Sequence, residues 1–442
     1  CLVAMDQFVA NLPRMLEKRQ WIQERRRRTD EEIFARFARW VNTPVIYAPG
    51  FLATQDILVK NMEVPAFIKQ PDKYVLLLTH DIIGEKMAGP GMRYWEIARA
   101  LSKEFGVTLA APGQPGISSP DFTVRGYRRS DPESIASLVK EADIVFAFGF
   151  LIHQFPMLQN LEKPLVVDIY DPFTLEDLEV YSKRPLAEQA EILHTHTGVL
   201  NNQLRSGDFF VCASERQRDY WLGMLTANNR VNPSTYSNDR TLRRLIDVVS
   251  FGLPSTPPGH YRQVLKGVVP GISAQDKVIL WGGGIWEWFD PLTLIRAMSR
   301  IAAQRDDVKL VFMGKQHFDK VTVPETPIAG KAIALSQELG LLDRHVFFNE
   351  WATYEERQNF LMEADIGVSL HLPTVETRFA FRTRMMDYIW AGLPIVATEG
   401  DFMGEVVQRD GLGKIVPCQD EEALAAALIE MLEVPNLREA YR

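Results

Sequence analysis

Arg382-Thr383-Arg384-Met385-Met386-Asp387-Tyr388-Ile389-Trp390-Ala391-Gly392-Leu393-Pro394-Ile395-Val396-Ala397-Thr398 holds a short helix followed directly by a strand. The helix begins near Arg382 and stops at Gly392, a residue that accepts the left-handed backbone of a helix C-terminus. The strand, Pro394 to Thr398, is apolar on both faces, as in a parallel sheet covered on both sides. Upstream, Val278-Ile279-Leu280-Trp281 reads as another such strand and runs into Gly282-Gly283-Gly284. Asp290 then caps a helix whose first position is Pro291 and which continues to Ala303. Strands are expected at Val308 to Met313, Val346 to Phe348 and Ile366 to Leu370, and a final helix at Glu421 to Leu432.

The same alternation occurs earlier in the chain. Tyr74 to Thr79 is a buried strand, Met92 to Phe105 a helix, and Val107 to Ala111 the next strand. Further strands are expected at Ile144 to Phe148, Leu165 to Ile169 and Asp208 to Ala213, with a helix after Ser214 ending near Leu225. Strands alternating with helices make an α/β chain with two doubly wound, Rossmann-like domains in tandem. The expected boundaries are 71–252 and 253–442, with a hinge near Phe251-Gly252-Leu253-Pro254. Residues 1–70 read as a helical N-terminal appendage or linker, with helical segments at Met5 to Arg28 and Asp30 to Trp40 and then an irregular, Pro-containing stretch. The run Arg25-Arg26-Arg27-Arg28 could touch acidic lipid headgroups, but four adjacent charges point around the whole helix, so a solvated surface is the simpler reading. The start at Cys1 suggests an additional N-terminal domain in a longer parent chain.

Composition narrows the function classes. The 442 residues are 46% hydrophobic and 24% charged, enough for two globular cores. A formal net charge of -8 argues against general nucleic-acid binding, which needs an excess of Lys and Arg on one face. Cys1, Cys212 and Cys418 lack metal-ligand spacing and are an odd set for disulfides. His194 and His196, two apart, make a poor metal pair. The longest apolar stretch, Ile144 to Ile152, is about half the roughly 18 residues of a membrane-spanning helix. The expectation is a cytoplasmic protein, at most peripheral at the inner face of the membrane.

Two glycine-rich segments follow the first strands of the two domains. Gly89-Pro90-Gly91 precedes a helix N-terminus, where free N–H groups and the helix dipole favour a phosphate or a reacting oxygen. Neither it nor Gly282-Gly283-Gly284 forms Gly-x-Gly-x-x-Gly, which disfavours a dinucleotide oxidoreductase. Arg382 and Arg384 stand at a second helix N-terminus, and a guanidinium with free backbone donors suits a pyrophosphate leaving group. Two apart, they diverge, so one is expected to face the ligand and the other the sheet or solvent. Asp387, further into the helix, is placed to accept from ribose hydroxyls. His153 and Asp171 follow strand ends, where ligands bind in open sheets. His153 is either a sugar contact or a structural histidine, and Asp171 either a cleft residue or an N-cap before Pro172. Trp286 and Trp288 could stack on a base or sugar, or pack in the core.

Over Tyr74 to Leu432, and most strongly at Met87 to Gly113, Trp281 to Met313 and Arg382 to Thr398, the sequence resembles the retaining GT-B glycosyltransferases, family four in the usual classification. The resemblance implies two Rossmann-like domains facing across a cleft, the N-terminal one on the acceptor side and the C-terminal one on the donor side. It implies a nucleotide-sugar donor as substrate, no cofactor or metal ion, and a glycan or lipid-linked glycan acceptor, with a role in surface polysaccharide or glycan assembly. Asp387 matches the family's ribose-binding carboxylate. The family's second, sugar-contacting carboxylate falls at Ala380, and Glu376, four residues further upstream, is the expected stand-in. Arg382 or Arg384 would replace the family's diphosphate-gripping Arg and Lys, since this chain has Gly283 and the Trp286 to Phe289 aromatics there. Gly89, Gly91, Gly283, Gly284, Thr383 and Lys315 complete the expected donor site, with Arg382, Arg384, His153 and Glu376 as the catalytic set. The implied reaction is a front-face attack in which the leaving phosphate oxygen takes the acceptor's proton. The loss of a carboxylate at Ala380 also leaves open a non-catalytic scaffold in a larger glycan-assembly protein.

Overall fold

The computed structural model describes residues 2–29, 71–315, 317–319 and 326–441. The helix expected at Asp30 to Trp40 and the irregular stretch after it lie outside the described residues, as does Cys1. Helix α1 (Leu2–Arg25) is exposed over its described side chains and ends at the arginine run. No helix among the described residues is long and apolar enough to cross a membrane.

Seven parallel strands form the first sheet: β1 (Tyr74–Leu78), β2 (Gly106–Pro112), β3 (Thr123–Tyr127), β4 (Ile144–Phe148), β5 (Leu165–Asp168), β6 (Phe209–Cys212) and β7 (Ile246–Val248). Their order is β3-β2-β1-β4-β5-β6-β7. Six more form the second: β8 (Lys277–Trp281), β9 (Val308–Phe312), β10 (Val346–Phe348), β11 (Ile366–Ser369), β12 (Ile395–Thr398) and β13 (Gly413–Val416), in the order β10-β9-β8-β11-β12-β13. The strand order reverses beside β1 in one sheet and beside β8 in the other, which opens a crevice at the carboxyl ends of both. These two crevices face each other.

The expected strands are present, including the outer strand Val346–Phe348 with the expected ends. Three strands had not been anticipated from sequence: β3, β7 and β13. Each is an outer strand of its sheet. An outer strand is covered less completely and loses the continuous apolar run, as the part-buried Thr123 and Val124 and the exposed Arg125 and Gly126 of β3 illustrate.

The helix after β1 departs from expectation. It spans Gly89–Leu101 (α2), so Gly89-Pro90-Gly91 is its first turn and not a loop ahead of it. Proline is tolerated there because the first-turn N–H groups have no partner within the helix. Helix α3 (Phe173–Val180) follows β5, and α4 (Glu215–Ala227) follows β6 with Ser214 as its N-cap.

The two domains pack on both flanks of the crevice. The Phe251 and Phe381 rings stack 5.3 Å apart, and Tyr354 of the second domain joins the buried core of the first. The Gln217 side-chain amide donates to the Phe379 carbonyl at 2.8 Å, and the Trp351 indole to the Met87 carbonyl at 3.2 Å.

Candidate functional site

An interdomain cavity of about 340 Å³ lies where the two crevices meet. Its C-terminal-domain wall is built on helix α8, after α5 (Pro291–Ala302), α6 (Arg357–Glu363) and α7 (Val375–Phe379); α8 itself spans Thr383–Trp390. Tyr388 anchors it. Its hydroxyl accepts from the Gly282 N–H at 2.7 Å and lies 3.0 Å from the carbonyls of Leu280 and Val368, so one ring ties the helix to the ends of β8 and β11. Gly367 makes room for it, since a Cβ there would lie 2.7 Å from the Tyr388 ring. The helix N-terminus is thereby held at the mouth of the crevice.

Both arginines line the cavity, so the expectation that only one faces it is corrected. The cause is that Arg382 is the non-helical N-cap residue (φ -79°, ψ 88°), and helical spacing does not apply to it. Their environments differ. Arg382, 4% exposed, donates to both oxygens of Glu376 at 2.9 and 2.7 Å and lies near Asp401. Arg384, 8% exposed, donates one hydrogen bond to the Gly284 carbonyl at 2.8 Å, and its other terminal nitrogen is buried with no partner among the described residues. Its guanidinium lies 4.0 Å from the Phe289 ring centre and 4.6 Å from that of Trp281. Burial, with the adjoining Arg382 cation, pushes its pKa down to about 10, against a smaller opposing effect of Tyr388. It remains a cation at neutral pH. A buried cation without a counter-charge is costly, and an anionic group entering the cavity would remove that cost.

Asp387 lines the cavity but is engaged, accepting from the Arg357 guanidinium at 3.2 Å. Arg357 in turn lies over Tyr354 at 3.8 Å and Trp390 at 4.8 Å. Gly89 meets Thr383 across the domain boundary: a Cβ on Gly89 would sit 3.1 Å from the threonine Oγ1. Gly283, with φ +80°, and Gly284 line the cavity beside Trp286 and Trp288, whose rings stack 5.6 Å apart and 7° from parallel. Asp171 and Glu176, from the first domain, also face it. Asp171 does not cap α3, whose N-cap residue is Pro172.

The remaining expected site residues lie elsewhere. Glu376 is buried behind Arg382 and outside the lining. Gly91 gives its N–H to Asp81 at 2.9 Å. Lys315 is paired with Glu350 at 2.6 Å, and His153 is exposed on its helix, neither of them at the cavity. Among the described residues no group of three or more His, Cys, Asp or Glu side chains is arranged to hold a metal ion. Sequence reasoning missed Arg357, Trp351, Tyr354 and Glu176. Trp351 and Tyr354 follow the carboxyl end of β10, a position rule that could have found them, whereas nothing local distinguishes Arg357 from an ordinary helix-surface arginine.

Residues 276–434, most of the second domain, match the family of glycosyl transferases group 1. A phosphatidyl-myo-inositol mannosyltransferase of Mycolicibacterium smegmatis is 25% identical over 148 residues, 34% of this chain and 34% of that one. The match thus spans about a third of the curated relative. Among solved structures, sucrose-phosphate synthase from Thermosynechococcus elongatus superposes with a TM-score of 0.55 at 15% identity, covering 84% of this chain and 92% of that one. The HepE protein of Anabaena in complex with UDP-glucose gives 0.53 at 13% identity, with coverages of 84% and 92%. At these identities the structural likeness establishes the GT-B fold and leaves the substrate open.

Proposed function

We propose that this chain, a GT-B protein whose second domain carries the glycosyl transferases group 1 pattern, moves a sugar from a nucleotide-diphosphate donor to an acceptor hydroxyl. The observation that carries this reading is Arg384, a buried guanidinium of the interdomain cavity lining at a helix N-terminus, with one nitrogen unpartnered among the described residues. A diphosphate would supply the missing counter-charge and accept from the free N–H groups of α8. As the sugar leaves, charge develops on the bridging phosphate oxygen, and donors fixed beforehand stabilise it without reorganising. Arg384 is the residue in that role, with the amides of the first turn of α8 beside it. Arg382, neutralised by Glu376, would act through position more than charge. Asp387 and Arg357 form a ready-made polar edge for the ribose. The Gly89 and Thr383 contact would let the two domains close around the donor.

The finer reading follows the family resemblance: retention of configuration by front-face attack, no requirement for a divalent metal, a glycan or lipid-linked glycan acceptor, and work in surface polysaccharide assembly at the cytoplasmic face of a membrane. Ala380, which faces the cavity without a functional group, is the feature favouring a non-catalytic scaffold instead. One experiment separates the two. UDP, GDP and dTDP and their hexose conjugates are titrated by thermal shift in EDTA, and the product's anomeric configuration is read by NMR. A nucleotide that stabilises the protein, with sugar released or transferred, supports the enzyme; no response to any nucleotide favours the scaffold.

A further inference from the structure

Among the described residues, six charged side chains line the cavity: Arg357, Arg382, Arg384, Asp171, Glu176 and Asp387. Arg357 and Asp387 occupy each other, and Arg382 is held by Glu376 from behind. Two further elements stand on opposite walls. One is Arg384, a residue of the cavity lining that is more than nine-tenths buried, with one terminal nitrogen lacking a partner among the described residues. The other is Asp171 and Glu176, whose carboxyl groups hydrogen-bond to each other with no basic side chain in ion-pair contact among the described residues. Asp171 lies just past the carboxyl end of β5, and Glu176 is in the first turn of α3.

We propose that the Asp171–Glu176 carboxyl pair is the recognition element for the donor's sugar ring, gripping a vicinal diol from the first-domain wall while Arg384 holds the diphosphate across the cavity. The inference rests on the donor-site reading above and extends it to the sugar. Burial raises both carboxyls and the charge of Glu376 adds to it; their mutual hydrogen bond lowers Asp171 and raises Glu176, which the charge of Asp171 raises further, while Asp177 and Asp168 raise Asp171 and Arg382 lowers Glu176. The pair therefore retains a proton that a lone carboxylate would have lost, and it offers one donor with several acceptor lone pairs. Adjacent sugar hydroxyls, each donor and acceptor, match that set. A cationic group would not meet it as well, because the shared proton removes part of the negative charge.

The test uses Asp171→Asn and Glu176→Gln, which keep the shape of the site. Dissociation constants are measured by calorimetry for UDP against UDP-glucose, GDP against GDP-mannose and dTDP against dTDP-glucose. The expected result is unchanged affinity for the diphosphate that binds wild type, which also shows that the variants fold. The ratio of conjugate to diphosphate dissociation constants should rise about tenfold or more, the scale of a lost charged hydrogen bond. An unchanged ratio in both variants overturns the proposal and leaves the donor site standing. Failure of all three diphosphates to bind wild type overturns the donor-site reading, and this inference with it.

Discussion

The guanidinium of Arg382 donates to both carboxylate oxygens of Glu376, at 2.9 and 2.7 Å, in a pair almost closed to solvent. The residue expected to contact the sugar is thus the residue that holds an arginine in place. Truncating one side of a buried pair strands a charge, so Arg382→Ala should cost about 3–5 kcal/mol of stability. The double variant Arg382→Met with Glu376→Leu should recover much of it. Urea unfolding of the two single variants and the double, read as a cycle, checks this; additive losses would show that the pair is not coupled.

Arg384 behaves oppositely. Among the described residues it has no carboxylate partner, so Arg384→Met should leave the nucleotide-free protein as stable as wild type or more so. Its affinity for the diphosphate should fall by about 10- to 100-fold, as for a lost charged hydrogen bond. Thermal unfolding with and without nucleotide separates the two effects.

Gly89 carries no backbone strain, yet a Cβ there would lie 3.1 Å from Thr383 Oγ1. Gly89→Ala should therefore weaken donor binding by holding the domains apart while changing nucleotide-free stability by less than about 1 kcal/mol. Adding Thr383→Ala should restore binding. If the double variant binds no better than the single one, the contact is not what limits closure.

Tyr388→Phe removes the hydroxyl shared by Gly282, Leu280 and Val368. The Gly282 N–H loses its acceptor inside the core, at a cost of about 1–3 kcal/mol. Because the same hydroxyl sets the position of α8, nucleotide affinity should drop as well. Chemical denaturation and nucleotide titration of this variant provide both readings.

Burial, with the charges of Glu376, Asp177 and Asp168, pushes Asp171 up to about 7 against the lowering effect of its hydrogen bond with Glu176. The folded state then holds a proton that the unfolded chain has released, from the ordinary carboxylate range up to about pH 7. Stability accordingly falls as pH rises through that window, and the raised Glu176 acts in the same direction. Asp171→Asn should flatten this slope, which unfolding midpoints at about pH 5 and about pH 8 would show.

Tandem α/β domains were legible because central parallel strands are buried on both faces, and continuous apolar runs such as Val278 to Trp281 carry that imprint locally. Asp290 before Pro291, and Gly392 after Trp390, marked helix ends by equally local chemistry. Cavity-facing positions near those marks, namely Gly89, Gly283, Gly284, Arg382, Thr383, Arg384 and Asp387, could be nominated for the same reason. What the sequence could not contain was partnership. Glu376 and Arg382 are six residues apart, but only the turn between α7 and α8 makes one the counter-ion of the other. Arg357 reaches Asp387 from 30 residues away, and Glu176 faces the C-terminal domain's wall from the first domain. Local pattern determined which elements form, since burial and capping act over a few residues. Which charges are satisfied and which are left free for a ligand was decided by tertiary structure alone, because electrostatic pairing depends on distance in space.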